Sequence, residues 1–191
     1  MPLEPQIDTD FRRLLFKEFC ANLCQSVVRS RSVRPIPLTV ITLEPIGTVR
    51  SPYTDKSQIP KGPGARHDAE GVLEIRADLE PGLTDIEGFS HLFVLWIFHR
   101  AEGYELVARP PIDDRPHGVF ATRAPRRPNP IGLTVVELLG REGARLRVRG
   151  VDMLDGTPIV DVKPYLSGVP ADRLRRGWVG EVERRRRGAG A

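Results

Sequence analysis

The chain has 191 residues, of which 40% are hydrophobic and 28% charged, with 29 Lys and Arg against 25 Asp and Glu. This composition is typical of a soluble globular protein and excludes disorder along the whole chain. A chain of this length can bury a core without a disulfide or a metal. The 18 Gly and 18 Pro predict many turns, and so favour a β fold over a helical bundle.

Two cysteines, Cys20 and Cys24, indicate a reducing compartment rather than a disulfide framework. No further ligands with suitable spacing stand near them, so a zinc site is not expected there. No apolar run approaches the roughly 20 residues of a membrane span. We therefore expect a soluble, cytoplasmic protein that contacts no membrane.

The first predicted element is a helix from Asp8 or Asp10 to about Arg29. Its apolar residues recur at steps of three and four, and Asp10 stands where an N-cap is expected. A basic targeting or membrane-surface helix is one interpretation, and a docking helix in an N-terminal extension is the other. Two prolines at 34–37 end the helix, so residues 1–37 are predicted to be a helix and a linker.

From Leu38 onward the pattern predicts short strands. β-branched, alternating or wholly apolar stretches occur at 40–50, 71–76, 92–98, 119–122, 133–139, 145–151 and 159–163. The run at 92–98 has no polar break, which predicts a strand buried on both faces. Gly140 to Gly143 has the composition of a hairpin turn. Long helical periods are absent, so residues 38–169 are predicted to form one mainly β domain, an antiparallel barrel.

The last segment, residues 170–191, is basic. It carries seven Arg and three acidic residues between Asp172 and Arg187, whereas residues 38–171 carry a net charge of −2. Such a tail can bind phosphate backbones through counterion release, or it can be a solvated, disordered end. The sequence leaves both interpretations open.

Common nucleotide and metal motifs are missing from the chain. It has no P-loop, and Gly62-Pro63-Gly64 lies in a turn-rich stretch rather than between a strand and a helix. A Rossmann site is therefore not expected. His91 and His99 would lie roughly 26 Å apart on one straight strand, too far to share a metal ion. We expect no metal.

The segment from Gly118 to Gly132 contains three Pro and three Arg. Proline fixes φ, so this loop is stiff before any ligand binds, which lowers the entropy cost of binding. Arg123, Arg126 and Arg127 can then bind an anion or stack on a base. We name residues 123–127 the arginine loop and predict that it belongs to a binding site.

A second candidate site follows the turn Asp155-Gly156-Thr157-Pro158. Asp161, Lys163 and Tyr165 stand at alternate positions, which places them on one face of the predicted strand. Polar groups in a row need partners if they face a barrel core. This row therefore belongs to a second candidate site.

Five segments resemble the TrmO (TsaA-like) family and occur in the family's order between about Ile41 and Leu166. They are IGTVRSPY at 46–53, QIPKGPG at 58–64, GFSHLFVLWIFH at 88–99, GVFATRAPRRPNPIGLT at 118–134 and DGTPIVDVKPY at 155–165. The resemblance implies an S-adenosylmethionine-dependent methyltransferase built on a β-barrel and working as a homodimer. Characterised members of the family methylate N6 of threonylcarbamoyl-adenosine at position 37 of tRNA.

The same resemblance implies roles for individual residues. The methyl donor would be held by Pro63, Gly64, Ala65, His99, Arg100, Arg123, Leu133, Asp155, Gly156, Thr157 and Pro158. The substrate would be held by Arg126 and Arg127. The residues left to meet the reacting base, and so to act in catalysis, are Asn129, Asp161, Lys163 and Tyr165.

Two features depart from the family pattern. Pro110-Pro111 leads into an acidic loop at 112–116, where the family usually has a Gly/Asn-rich one, and few residues follow Val169, where well-known members carry a further domain. Two alternatives therefore stand beside the tRNA methyltransferase: a methyltransferase acting on a small molecule, and a non-catalytic module that binds S-adenosylmethionine or RNA.

Overall fold

The computed structural model describes residues 40–61, 65–166, 168 and 176–188. The predicted N-terminal helix therefore lies outside the described residues, as do Pro63 and Gly64 of the predicted donor site. The described residues from Leu43 onward belong to one compact unit.

Within the described residues, six antiparallel strands close into a barrel. Counting the two strands of a separate small sheet, the eight strands of this part of the chain are β1 (Gly47–Arg50), β2 (Glu70–Ile75), β3 (His91–Ile97), β4 (Val107–Ala108), β5 (His117–Gly118), β6 (Ile131–Glu142), β7 (Arg145–Arg149) and β8 (Pro158–Pro164). The order around the barrel is β1-β2-β7-β6-β3-β8, and β4 pairs with β5 in a separate small sheet. The predicted mainly β architecture, an antiparallel barrel, is confirmed.

Alternating side chains fill the barrel because successive residues of a strand point to opposite faces. On β7, Leu146 and Val148 are fully buried, whereas Arg145 and Arg147 face the solvent. Every barrel strand contributes apolar residues to this core, among them Val49, Leu73, Ile75, Leu92, Val94, Trp96, Val136, Leu146, Val148 and Ile159. Burying each such side chain stabilises the fold by about 1.5–3 kcal/mol.

β3 confirms the strand predicted at 92–98, but only one of its faces is fully buried. Leu92 and Val94 point into the core, while Phe93, Leu95 and Ile97 are half-buried on the outside. The prediction of burial on both faces is therefore wrong. The outer face of this strand, together with the outer face of β6, forms an apolar surface.

A bulge in β8 decides which way its polar residues point. Leu95 pairs with Asp161 and Trp96 pairs with Ile159, so Val160 is an extra residue on the β8 side. An extra residue reverses the alternation of the residues that follow it. Ile159 and Val162 consequently both pack on the core, and the row of polar residues that begins at Asp161 faces outward.

The first predicted strand is shorter than expected. β1 begins at Gly47 rather than at residue 40, and the preceding residues Val40 and Ile41 are exposed. Pro45 lies between them and the strand and has no N–H to donate to a ladder.

Residues 119–121 form a turn of 3₁₀-helix instead of the predicted strand. The Thr122 N–H and hydroxyl both donate to the Val119 carbonyl oxygen, at 3.1 and 2.9 Å. These bonds turn the chain at the start of the arginine loop. The predicted turn after β6 is displaced toward Gly143, where φ is 57°.

The basic C-terminal segment contains one described helix, α1 (Gly177–Gly188), which packs against the β domain. Its Val182 is buried, and the Trp178 ring stacks on His117 with centroids 4.1 Å apart. Trp178 Nε1 also donates a 2.9 Å hydrogen bond to the Ala121 carbonyl oxygen, next to the arginine loop. Neither interpretation of a basic tail anticipated this packing.

Candidate functional site

A cavity of about 620 Å³ opens beside the end of β3, and we name it the donor cavity because several residues predicted to hold the methyl donor line it. Four stretches of chain form its wall, and the residues that line it are Asp55, Lys56, Ile59, Trp96, Phe98, His99, Arg100, Ala101, Glu102, Pro125, Arg126, Leu154 and Thr157. Its volume lies within the range of about 300–1,000 Å³ that small-molecule sites occupy. Apolar side chains form much of its wall, and charged groups stand among them.

Trp96 and Phe98 provide an aromatic part of this wall. Their rings meet edge to face, with centroids 4.3 Å apart. Trp96 Nε1 donates to Thr134 Oγ1 at 3.0 Å, and that hydroxyl donates to Asp152 Oδ1 at 2.5 Å. Gly132 lies directly across the strand pair, and a Cβ at that position would overlap the indole ring. The absence of a side chain at Gly132 thus allows this placement of Trp96.

The 155–158 segment reaches the donor cavity as a tight turn. The Thr157 N–H donates to the Leu154 carbonyl oxygen at 3.2 Å, and Gly156 has a φ of 76°, which favours glycine. Asp155 fixes the turn to the chain after β1: its N–H donates to the Tyr53 carbonyl oxygen, and its carboxylate accepts from the Ser51 N–H at 3.1 Å. Thr157 is buried and lines the cavity.

Arg100 connects the end of β3 with the loop at 54–58. Its guanidinium donates to the Thr54 carbonyl oxygen at 3.1 Å. The Gln58 side-chain oxygen accepts from the N–H groups of Thr54 and Asp55, at 2.8 and 3.0 Å, and so closes the loop on itself. The loop is therefore internally braced where it meets the cavity.

Only some of the residues predicted to bind the methyl donor line the cavity. His99, Arg100 and Thr157 line the donor cavity, and Asp155, Gly156 and Pro158 belong to or adjoin the turn that carries Thr157. Ala65 is described but does not line the cavity. Arg123 and Leu133 lie outside the cavity wall and contact each other, because Arg123 Nη2 donates to the Leu133 carbonyl oxygen at 2.7 Å.

Of the two predicted substrate residues, Arg126 lines the donor cavity and Arg127 does not. Arg126 also forms an ion pair with Glu105 at 2.7 Å. Arg127 Nη1 donates to the Thr122 carbonyl oxygen at 3.3 Å. Asn129 is exposed at the end of the same loop, and its carbonyl oxygen accepts from Ile131.

The row Asp161, Lys163 and Tyr165 follows the outer face of β8 into the residue after the strand. Lys163 Nζ lies 2.7 Å from Asp161 Oδ2, and the Tyr165 ring meets Phe93 edge to face at 5.0 Å. These side chains do not line the donor cavity. Their predicted part in catalysis, like that of Asn129, stays a prediction.

The acidic loop that departs from the family pattern holds α1. The Asp113 carboxylate is 1% exposed and lies 3.1 Å from Arg115, 3.2 Å from His117 and 3.5 Å from Arg185. Hydrogen bonds from Arg115, with a smaller contribution from His117, hold the pKa of Asp113 well below its usual range, although desolvation acts in the opposite direction. Asp113 is therefore an ionised anchor.

Sequence reasoning missed the apolar and acidic parts of the cavity wall. Trp96, Phe98 and Ile59 stand within the family motifs but were given no role in the site, and Leu154 and Asp55 lie outside those motifs. The signal that could have indicated them was the aromatic end of the apolar run at 92–98.

Metal ligation and membrane insertion find no support in the described part of the chain. There, no three His, Cys, Asp or Glu side chains converge in a way that could hold a metal ion. Among the helices of the same residues, none has the length and apolar character needed to cross a membrane.

Known proteins resemble this chain over most of its length. A probable S-adenosyl-L-methionine-binding protein of Pyrococcus abyssi is 45% identical over 145 residues, which are 75% of this chain and 78% of that protein. The tRNA (adenine(37)-N6)-methyltransferase of Escherichia coli is 42% identical over 165 residues, covering 74% of this chain and 70% of that enzyme.

A solved structure also resembles this chain in its fold. The crystal structure of TrmO from Pseudomonas aeruginosa superposes with a TM-score of 0.60 at 38% identity, and the match covers 73% of this chain and 62% of that one. Residues 48–171 match the family model described as the tRNA-methyltransferase O N-terminal domain. The chain belongs to the TrmO N-terminal domain family.

Proposed function

We propose that this protein is an S-adenosylmethionine-dependent methyltransferase that methylates N6 of adenosine 37 in tRNA, with threonylcarbamoyl-adenosine as the preferred base. The observation that carries the proposal is the meeting of His99, Arg100 and the Thr157 turn at one cavity. These residues come from two motifs more than fifty positions apart in sequence. A methyltransferase of Escherichia coli with this named activity and 42% identity supports the same assignment.

The residues of the donor cavity fit the chemistry of the methyl donor. S-adenosylmethionine supplies a methyl group bonded to a positively charged sulfur, which leaves as a neutral thioether. Arg100 can bind the donor's carboxylate, and the carboxylates of Asp55 and Glu102 suit its positive charge. Trp96 and Phe98 provide apolar surface for the adenine, and an aromatic face also attracts a cation.

Methyl transfer depends only weakly on general acid–base catalysis. The target nitrogen forms the new N–C bond as the C–S bond breaks, and the nitrogen then loses one proton. Holding nitrogen, methyl carbon and sulfur in line supplies most of the acceleration, and proton removal adds a smaller factor. Asn129, Asp161, Lys163 and Tyr165 are our candidates for meeting the base and accepting that proton.

We further propose a homodimer that packs through the outer face of β3, β6 and β8. Ile131, Leu133 and Val135 are 38%, 46% and 39% exposed on this face, beside the half-buried Phe93 and Leu95. Contiguous apolar surface of this kind marks interaction sites. Packing there would bring the Arg123 and Leu133 contact and the Asp161 row to the interface. Sedimentation of Val135→Asp should give a monomer if this face joins two copies, and an unchanged mass would exclude it.

Nucleoside analysis tests the proposed activity. The protein is incubated with S-adenosylmethionine and with tRNA that contains or lacks the threonylcarbamoyl group, and the digested nucleosides are identified by mass spectrometry. We expect N6-methylated threonylcarbamoyl-adenosine from the first tRNA. No methylated adenosine from either tRNA would refute the assignment. A cytoplasmic location follows from the proposed substrate and is tested by cell fractionation.

A non-catalytic donor-binding module is the second candidate. It is favoured by the relatives that are named only as S-adenosyl-L-methionine-binding proteins, including the one from Pyrococcus abyssi. Calorimetry separates the two cases, because a module would bind the donor without turnover across a broad pool of tRNA. Methylation of an added small metabolite would instead favour a small-molecule methyltransferase.

A further inference from the structure

Four large apolar side chains lie exposed together near the donor cavity. Tyr104, Leu106, Val107 and Phe120 are 60%, 61%, 57% and 77% exposed, and we name them the aromatic rim. Phe and Tyr are side chains whose burial strongly stabilises a fold. An exposed apolar cluster of this kind marks a surface that contacts another molecule.

Main-chain hydrogen bonds hold the two segments of the aromatic rim side by side. The Val119 N–H donates to the Leu106 carbonyl oxygen at 2.9 Å, and Val107 pairs with Gly118 across the small sheet. Phe120 follows Val119 directly in the 3₁₀ turn, whose other end is fixed by the bond from Trp178 to Ala121. Phe120 is therefore held exposed by a turn that hydrogen bonds fix at both ends.

The aromatic rim continues into the wall of the donor cavity. The Glu105 N–H donates to the Arg126 carbonyl oxygen at 3.3 Å, and the Glu105 carboxylate pairs with the Arg126 guanidinium at 2.7 Å. Arg126 itself lines the cavity. A molecule whose reacting group entered the cavity would therefore cover the segment that carries Tyr104.

Charged groups of both signs stand beside the aromatic rim: Glu102 and Glu105 flank Tyr104, Glu105 pairs with Arg126, and Arg127 adds a further positive charge. Arg127 donates to the carbonyl oxygen of Thr122 rather than to a carboxylate, so this contact leaves its charge uncompensated. Exposed rings next to such a guanidinium group suit a partner that has flat apolar faces and negative charges in alternation. Single-stranded RNA has this chemistry, because its bases stack on aromatic side chains and its phosphates bind Arg.

We propose that the aromatic rim is a base-stacking platform for the single-stranded RNA that flanks the target adenosine. Phe120 and Tyr104 stack on neighbouring bases, and Arg127 holds a phosphate beside them. This inference rests on the proposed function, because it assumes that the substrate is RNA. It assigns recognition of the surrounding nucleotides to residues outside the donor cavity.

The test measures binding of a tRNA anticodon stem-loop to Phe120→Ala and Tyr104→Ala by fluorescence anisotropy at several salt concentrations. Each variant should weaken RNA binding by about 5- to 160-fold, which corresponds to the about 1–3 kcal/mol of one base stack. The slope of log K against log salt should stay the same, because a ring releases no counterion. Arg127→Gln should instead lower that slope by about 0.7–0.9.

Two substitutions separate stacking from apolar contact in general. Phe120→Tyr keeps the ring and should keep most of the affinity, whereas Phe120→Leu keeps only apolar volume and should bind RNA as weakly as the alanine variant. Phe89→Ala is the matched control, because Phe89 is an exposed phenylalanine that precedes β3, at the end of that strand away from the cavity. Calorimetry should give unchanged donor affinity for all of them.

Four results would overturn the stacking platform. Normal RNA affinity of Phe120→Ala and Tyr104→Ala would remove its basis, and so would normal affinity of Phe120→Leu. Dissociation of a wild-type dimer by Phe120→Ala would assign the aromatic rim to contact between copies. A wild-type protein that binds the donor but neither binds nor methylates tRNA would overturn the proposed function as well, whereas an active wild type with unaffected variants overturns the platform alone.

Discussion

Gly132→Ala tests how the aromatic wall of the donor cavity is held. The new Cβ would overlap three atoms of the Trp96 indole, whose side chain is buried in the barrel. The ring must move, and this breaks its hydrogen bond to Thr134. Overpacking costs about 1–3 kcal/mol and the broken bond about 0.5–1.5 kcal/mol, while the stiffer unfolded chain returns about 0.4–1 kcal/mol.

The expected net destabilisation is therefore about 2.5 kcal/mol, which lowers the melting temperature by about 5–10 °C in a chain of this size. Donor affinity should fall as well, because Trp96 lines the cavity. Thermal unfolding followed by circular dichroism measures the first effect, and calorimetry measures the second.

Gly82→Ala is the matched control for this experiment, because a Cβ at Gly82 meets no atom within 4 Å. In a Trp96→Leu background the smaller side chain leaves room, so Gly132→Ala should cost at least about 1 kcal/mol less than in the wild type. A Gly132→Ala protein with normal melting temperature and normal donor affinity would refute the reasoning.

Three further predictions concern the arginine loop and α1. Arg123→Ala should weaken donor binding by about tenfold or more if its guanidinium makes a charge-assisted bond to the donor, and unchanged affinity in calorimetry would remove it from the donor site. Asp113→Asn should release α1, which would be seen as faster hydrogen exchange at 177–188. In the wild type the pKa of Asp113 lies below the ordinary 3.8, so the stabilisation of α1 by this carboxylate should persist above about pH 4 and disappear progressively as the pH falls below it. Protection of α1 that does not change with pH would contradict this role of Asp113. Replacing Arg184 and Arg187 by Gln should leave donor affinity unchanged and lower the salt slope of tRNA binding by about 0.7–0.9 for each phosphate that these side chains bind, and an unchanged slope would show that they do not touch RNA.

The last prediction differs from a truncation after Glu183, which the sequence alone suggests as the test of the basic tail. Arg185 pairs with Asp113, and Arg186 Nη2 donates to the Ile112 carbonyl oxygen at 3.4 Å. A truncation after Glu183 would therefore remove two contacts that hold α1 in place, together with the positive charge. Substituting only the two outer arginines keeps these effects apart.

Strand positions were readable from the sequence because alternation and apolar runs report directly on which side chains enter a core. Leu146 and Val148 stand between arginines, and the β7 strand follows from that pattern. The bulge at Val160 was not readable, because it depends on the register of β8 against β3. Register depends on how two strands pair, so it cannot be inferred from the composition of one strand alone.

Three residues to which the resemblance gave a donor-binding role, His99, Arg100 and Thr157, line one cavity, and their binding of the donor stays a prediction. The motifs contain Trp96 but assigned it no role, because its position in the cavity wall depends on Gly132 in another strand. They also did not indicate α1. Trp178 and Val182 are four residues apart and so share a helix face, but the run of arginines after them masked this short apolar signal.

Closure of the barrel makes the donor cavity a late product of folding. β1 pairs with β8, and the turn that carries Thr157 is fixed by Ser51, 104 positions before its partner Asp155. Contacts so distant in sequence form slowly, because a long loop must close before any of them stabilises the chain. A chain whose barrel is still open lacks one wall of the cavity, so any ligand that binds there, such as the proposed methyl donor, favours the closed barrel by mass action.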